Sequence, residues 1–194
     1  ATSQRFPDGI AYLQYAWGKE RTSHIRLSGV IRDMYLHNNR LGKNTAYAGW
    51  GIQLSGHIEA SNWVDLYMNG VYGRGITPYI QGLAGSPYDF TYGPNDAKRI
   101  QTQPMWGWQV AGQVNIMPGR MWLAGGYSTV CLEPHNGYLS ANQYHRGDYV
   151  FANAFYNVTS NFTVALEYLY GSRRDMGGSQ NEANRLSLMA QYSF

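Results

Sequence analysis

The chain has 194 residues, of which 15% are aromatic and only 14% are charged, and its formal net charge is +3. No apolar run reaches the ~18 residues of a membrane-spanning helix, and the mean hydropathy is −0.43, so a helical membrane protein is excluded. The small net charge gives no indication of nucleic-acid binding, and the single cysteine, Cys131, excludes an intrachain disulfide framework.

Alternation of apolar and polar residues predicts nine β-strands along the chain. Their predicted bounds are Gly9–Trp17, Ser23–Leu36, Thr45–Ala60, Trp63–Tyr72, Met105–Met117, Met121–Cys131, Tyr149–Val158, Phe162–Tyr170 and Asn184–Phe194. The sixth strand is apolar on both sides, which leaves its orientation open. Strands of about 9–11 residues suit a tilted crossing of a bilayer.

The last predicted strand alternates without interruption and ends on Phe194. Leu186, Leu188, Ala190 and Tyr192 share one face with Phe194, while polar residues occupy the other face. This ending resembles the C-terminal assembly signal of bacterial outer-membrane β-barrels. The pattern predicts an all-β, antiparallel transmembrane barrel, with its apolar face in lipid and its polar face in a watery lumen.

The predicted connections alternate between short and long. The short ones are Gly18–Thr22, Ser61–Asn62, Pro118–Arg120 and Thr159–Asn161. The long ones are His37–Asn44, Gly73–Pro104, Leu132–Asp148 and Gly171–Ala183. Short periplasmic turns and long extracellular loops are typical of these barrels. Because complete bacterial barrels have even strand numbers, nine strands predict the C-terminal portion of a longer barrel, and a hairpin hidden in Gly73–Pro104 would leave the number odd.

Several segments resemble the DcaP-like trimeric outer-membrane porins. They are Asn157–Gly171 (NVTSNFTVALEYLYG) with the terminal strand, the glycine-rich Gly73–Gly82 (GRGITPYIQG) and the aromatic Trp106–Val110. The resemblance implies a 16-stranded barrel that assembles as a homotrimer and passes small anionic solutes such as dicarboxylates. This chain would supply about the C-terminal half of it.

Cationic side chains on the predicted lumen face are candidates for an anion path. They are His24, Arg26, Arg32 and Arg185. The alternative is that they only pair with lumen carboxylates such as Glu59, Asp65 and Glu167. The long loop adds Arg74, Tyr79, Lys98 and Arg99, and it is predicted either to enter the lumen as a constriction or to decorate the outside.

The histidines do not indicate a metal or a catalytic site. His57 has Ser55 and Glu59 as same-face neighbours, an arrangement that a polar lumen produces by chance. His135 and His145, in a predicted loop, are expected to be solvated. The sequence therefore predicts a passive porin without cofactor, among lipid and lipopolysaccharide of the outer membrane. The rivals are a closed structural or adhesive barrel of 8–10 strands and a barrel hydrolase.

Overall fold

The computed structural model describes residues 2–39, 41–92, 100–133 and 139–194. The strands in these ranges are β1 (Thr2–Ser3), β2 (Gly9–Trp17), β3 (Ser23–Asn38), β4 (Lys43–Ser61), β5 (Val64–Arg74), β6 (Phe90–Tyr92), β7 (Ile100–Thr102), β8 (Pro104–Met117), β9 (Met121–Leu132), β10 (Tyr144–Thr159), β11 (Phe162–Asp175) and β12 (Gln180–Tyr192). Short 3-10 helices occupy Lys19–Arg21, Thr77–Tyr79 and Gln81–Leu83. Of the helices in these ranges, none has the length and apolarity needed to span a membrane.

Ten strands form one antiparallel sheet in which chain neighbours pair, apart from the separate β6–β7 hairpin. Because β1 and β2 both pair with β3, one after the other, they fill a single position at the sheet edge. The sheet thus has nine positions, and its two edges, β2 and β12, run in the same direction. Among the described residues these edges do not pair, and direct pairing between them would be parallel.

All nine predicted strands are confirmed, and most extend beyond their predicted ends. The prediction of a long connection at Gly171–Ala183 is wrong, because β11 and β12 continue to pair as far as Arg174 and Gln180. Likewise β10 begins at Tyr144 and shortens the connection predicted at Leu132–Asp148. The residues in these extensions are polar, so the pairing of their backbones, and not an apolar pattern in the sequence, shows that they belong to the strands.

The two faces of the sheet differ in polarity, as predicted. We call the face against which residues 75–89 pack the inner face, and the opposite one the outer face. The outer face exposes large apolar side chains, among them Ile25, Leu27, Trp50, Ile52, Leu54, Leu66, Trp108, Val110, Val114, Leu123, Leu166, Leu186 and Leu188. Register also settles the sixth predicted strand, since Leu123 aligns with Val114 on the outer face and Ser128 with Gln109 on the inner face.

The buried core lies on the inner face, where residues 75–89, here called the inserted segment, fold back onto the sheet. Ile76, Ile80 and Leu83 of this segment pack with Met105 and Leu132 of the wall, and all five are at most 3% exposed. Burying side chains of this size stabilises by about 2 kcal/mol each. The segment therefore lies against the inner face, which agrees with the first of the two predicted alternatives and not with an external decoration.

Glycines in the wall make this close packing possible. A Cβ at Gly51 would lie 2.8 Å from Cδ1 of Ile76, and a Cβ at Gly73 would lie 2.6 Å from the same atom. Both glycines face inward and are aligned with each other in neighbouring strands. Any larger residue at either position would push the inserted segment away from the wall.

Candidate functional site: the inner face and the inserted segment

Arg32 joins the inserted segment to the wall. Its Nε lies 3.2 Å from the Asp8 carboxylate, and its Nη1 lies 3.2 Å from the Asp89 carboxylate and donates to the Gly75 carbonyl at 2.5 Å. Its side chain is only 8% exposed. Arg32 is thus on the predicted face, but its guanidinium is engaged by two carboxylates rather than offered to the lumen.

The carboxylates around Arg32 organise the segment further. Asp89 accepts hydrogen bonds from the backbone nitrogen and the hydroxyl of Thr77, at 2.9 and 2.8 Å. Tyr79 donates its hydroxyl to Asp8 at 2.6 Å, and its ring lies under the Arg32 guanidinium. Burial first, and then the bond to Asp8, raise the pKa of Tyr79 above its ordinary value, which keeps the phenol protonated.

The other predicted cations remain more open. Among the described residues, Arg26 forms hydrogen bonds through Nε alone, which donates to Gln14 at 2.8 Å, and its guanidinium lies 4.6 Å from the centre of the Tyr12 ring. Arg185 is exposed, and its Nε donates to Ser187 at 2.9 Å. Within the described ranges, neither guanidinium forms an ion pair, so the predicted alternative of pairing with Glu59, Asp65 or Glu167 is not what holds them.

His24 belongs to a cluster near the short turns. Its ring centre lies 6.2 Å from that of His57, which stacks on Tyr67 at 4.7 Å. His57 uses both ring nitrogens, one 3.0 Å from Asp65 and the other 2.9 Å from the Thr22 carbonyl oxygen. These partners orient the ring structurally, and no serine takes part. Within the described residues, no group of three potential ligand side chains could hold a metal.

The predicted loop residues are separated by the fold. Tyr79 faces the lumen from the inserted segment, as described. Arg74 ends β5 aligned with Trp50 and Pro104, in the register row of the outer face. Lys98, Arg99 and His135 lie outside the described residues. Of the predicted constriction residues that the structure describes, Tyr79 is the one that faces the lumen.

A cavity of about 1090 Å³ lies between the inserted segment and the wall. Its lining comes from β5, β8, β9, β10, β11, β12 and the segment itself, and includes Tyr67, Asn69, Tyr79, Gln109, Gln113, Ser128, Tyr149, Phe151, Arg173 and Asn181. This cavity is the open part of the lumen beside the described wall.

Arg173 is a lumen cation that the sequence prediction missed. It lies on the inner face of β11, its Nε is 2.8 Å from Asp175, and its guanidinium is 5.7 Å from the Tyr144 ring centre. The sequence prediction had assigned it to a loop. Alternation gives no signal at this position, because Ser172, Arg173, Arg174 and Asp175 are all polar, and the register with Asn181 of β12 is what places Arg173 on the inner face.

An antiparallel sheet of long strands, with an apolar outer face and a polar inner face, defines a bacterial outer-membrane β-barrel. The fold is similar to that of the outer membrane channel DcaP of Acinetobacter baumannii, with a TM-score of 0.86 and 20% sequence identity. That match covers 100% of this chain and 53% of the DcaP chain, so this chain spans about half of it. The likeness is one of fold, and it agrees with the fold that the resemblance to DcaP-like porins implies.

The fold is also similar to that of the NanC porin, with a TM-score of 0.50 and 12% identity over 100% of this chain and 96% of that chain. No protein-family model matches the chain, and no curated protein matches it. One of these neighbours is an outer membrane channel and the other is a porin, and together with the exposed apolar outer face they support a location of this chain in the bacterial outer membrane.

Proposed function

We propose that the protein is a passive outer-membrane channel for small hydrophilic solutes, with a preference for anions. The observation that carries the proposal is the cavity of about 1090 Å³ between the inserted segment and the polar wall. Its solute path would need no cofactor, because hydrogen-bonding groups and charges along a pore are sufficient for selection. The likeness to two outer-membrane channels supports the same conclusion.

The anion preference rests on inner-face cations. Arg173 lines the cavity, and the terminal nitrogens of Arg26 bond no other described residue. Arg185 shares a register row with His24 across the sheet. Guanidinium groups recognise carboxylates in a two-point geometry, which favours small carboxylate solutes such as dicarboxylates. Two inner-face carboxylates already have partners within the chain, since Asp65 contacts His57 and Glu59 accepts a hydrogen bond from Thr22.

In this proposal the inserted segment forms the constriction, and the Arg32 cluster fixes its position. The long connections face the outside of the cell, where lipopolysaccharide surrounds the barrel, and the short turns face the periplasm. The family resemblance adds a homotrimer of complete barrels. The native mass of the assembly in mild detergent, measured against the mass of one chain, tests that arrangement.

The deciding experiment is planar-bilayer recording of the full native protein in a salt gradient. We expect ion conductance with an anion-selective reversal potential, which Arg26→Gln and Arg173→Gln together shift toward cation selectivity. Arg174→Gln is the matched control, because Arg174 neighbours Arg173 on the outer face, bonded to Gln180. A sealed bilayer containing inserted protein would refute the channel, whereas an unchanged reversal potential in the double variant would refute only the anion path.

A further inference from the structure

The inner faces of β8 and β9 carry no ionisable side chain within the described residues. The inward positions of β8 are Met105, Gly107, Gln109, Ala111, Gln113 and Asn115. Those of β9 are Trp122, Ala124, Gly126, Ser128, Val130 and Leu132. Seven of these twelve residues line the cavity, so a neutral wall borders its open space. A charged solute finds no counter-charge there.

Two aromatic side chains of β10, Phe151 and Tyr149, border this neutral wall. A Cβ at Gly126 would be 2.6 Å from a ring carbon of Phe151 and 2.8 Å from Cβ of Ala111, so only glycine lets the Phe151 ring settle against the sheet. Tyr149 lies two residues away on the same face and is 42% exposed. Both side chains line the cavity, Phe151 beside Gly126 of β9 and Tyr149 beside Gly171 of β11, and we call the pair the aromatic platform. Aromatic rings of this kind suit the flat C–H faces of a sugar ring.

Amide side chains with unused hydrogen-bonding capacity lie across the neutral wall from the platform. Gln109 is exposed and bonds no other described residue through its side chain. Asn69 accepts from Gln53 through its oxygen, which leaves its amino group, and Gln113 donates to Asn115, which leaves its oxygen. Such amides offer both donors and acceptors to hydroxyl groups, and they carry no charge.

Register fixes the spacing of these groups. Gln109 aligns with Ser128, and Ser128 aligns with Tyr149, so two strand spacings, about 10 Å, separate the amide from the ring. Two linked sugar rings bridge a distance of that order. The amides would bind hydroxyls of one ring while the other ring rests on the platform.

We propose that this wall is a binding site for uncharged, polyhydroxylated solutes of one or two sugar rings. The inference rests on the proposed channel function and extends its solutes beyond anions. Selection here comes from stacking and hydrogen bonds, and the site lies apart from the inner-face cations of β3.

Single-channel recording of the full native protein with maltose added on one side tests the proposal. Bound maltose is expected to interrupt the ion current in a concentration-dependent way. The variant Tyr149→Ala/Phe151→Ala should weaken this block by about tenfold, since it removes two stacking contacts. Gln109→Leu, which keeps the side-chain size, should weaken it by several-fold.

The matched control is Phe155→Leu. Phe155 follows Tyr149 and Phe151 on the inner face of β10 but stacks on Trp122 and does not line the cavity. Its variant should keep the wild-type affinity for maltose. Ion current that maltose does not interrupt, or equal block in the platform variant, would overturn the saccharide site while leaving the channel intact. Absence of any conductance would refute the channel function and the site with it.

Discussion

The inner face of β3 and the inner faces of β8 and β9 differ in charge. Along β3, His24, Arg26 and Arg32 point inward, and each contacts side chains of neighbouring elements. Along β8 and β9 the described inward residues are all uncharged. The cavity is lined from β5 onward, and within the described chain no lining residue comes from β3 or β4.

The difference separates two tasks that a lumen cation can have. Arg32 shows the first task, which is to hold the inserted segment, and its burial between two carboxylates suits it to that role. The second task is to contact solute, and we propose it for Arg173 because this residue lies at the open cavity. An inward position alone therefore does not make a cation a solute contact. Whether it can contact solute depends on the neighbouring residues that bind it.

The largest effect is expected when the anchoring on β3 is removed. Arg32→Gln leaves Asp8 and Asp89 without their shared cation, which should cost about 3 kcal/mol of unfolding free energy. The inserted segment should then leave the wall more often, and single-channel conductance should rise. Urea unfolding and bilayer recording measure the two effects.

Asp89→Asn tests the same contact from the segment side and should change conductance in the same direction. Arg174→Gln serves as the matched control, since it removes an arginine on the outer face of β11 that bonds to Gln180 and not to the segment. If Arg32→Gln conducts like the wild type, the inserted segment is held by its apolar core alone.

A smaller effect is expected when a charge is placed on the neutral wall. Gln109→Arg should raise the ratio of anion to cation permeability by about fourfold, because a unit charge ~10 Å away favours an anion by ~0.4 kcal/mol in water and disfavours a cation by the same amount. Reversal potentials in a salt gradient measure this ratio. Gln109→Leu separates the added charge from the lost amide, and an equal shift in both variants would contradict the electrostatic account.

Much of the barrel wall was predictable because alternation is a local signal. Leu186 to Tyr192 and Ile25 to Ile31 were assigned to the correct faces from side-chain order alone, and Arg26 and Arg32 were correctly placed inward. Alternation becomes uninformative where both faces are apolar, as at Leu123, or both are polar, as at Arg173. At these positions, pairing with neighbouring strands shows which face each residue occupies.

The role of Arg32 could not be predicted in the same way. Its partners Asp8 and Asp89 belong to irregular segments without periodicity, about 24 and 57 residues away along the chain. The inward path of the inserted segment depends on contacts such as Ile76 against Gly51, which involve shape rather than pattern. Long-range packing thus decides which inward cations reach solute.

The smaller of the two effects on stability is expected at the edge of the Arg32 cluster, where Tyr79→Phe removes one hydrogen bond to Asp8. The loss should be about 1 kcal/mol of unfolding free energy at neutral pH. Because the pKa of Tyr79 is raised in the folded protein, its contribution is complete below the unfolded pKa of about 10 and disappears as pH rises through the folded pKa. The wild type and the variant should therefore converge in stability only at strongly alkaline pH. Tyr149→Phe is the matched control, since the Tyr149 hydroxyl bonds no other described residue, and a difference that vanished already near pH 7 would contradict the protection of this phenol by the cluster.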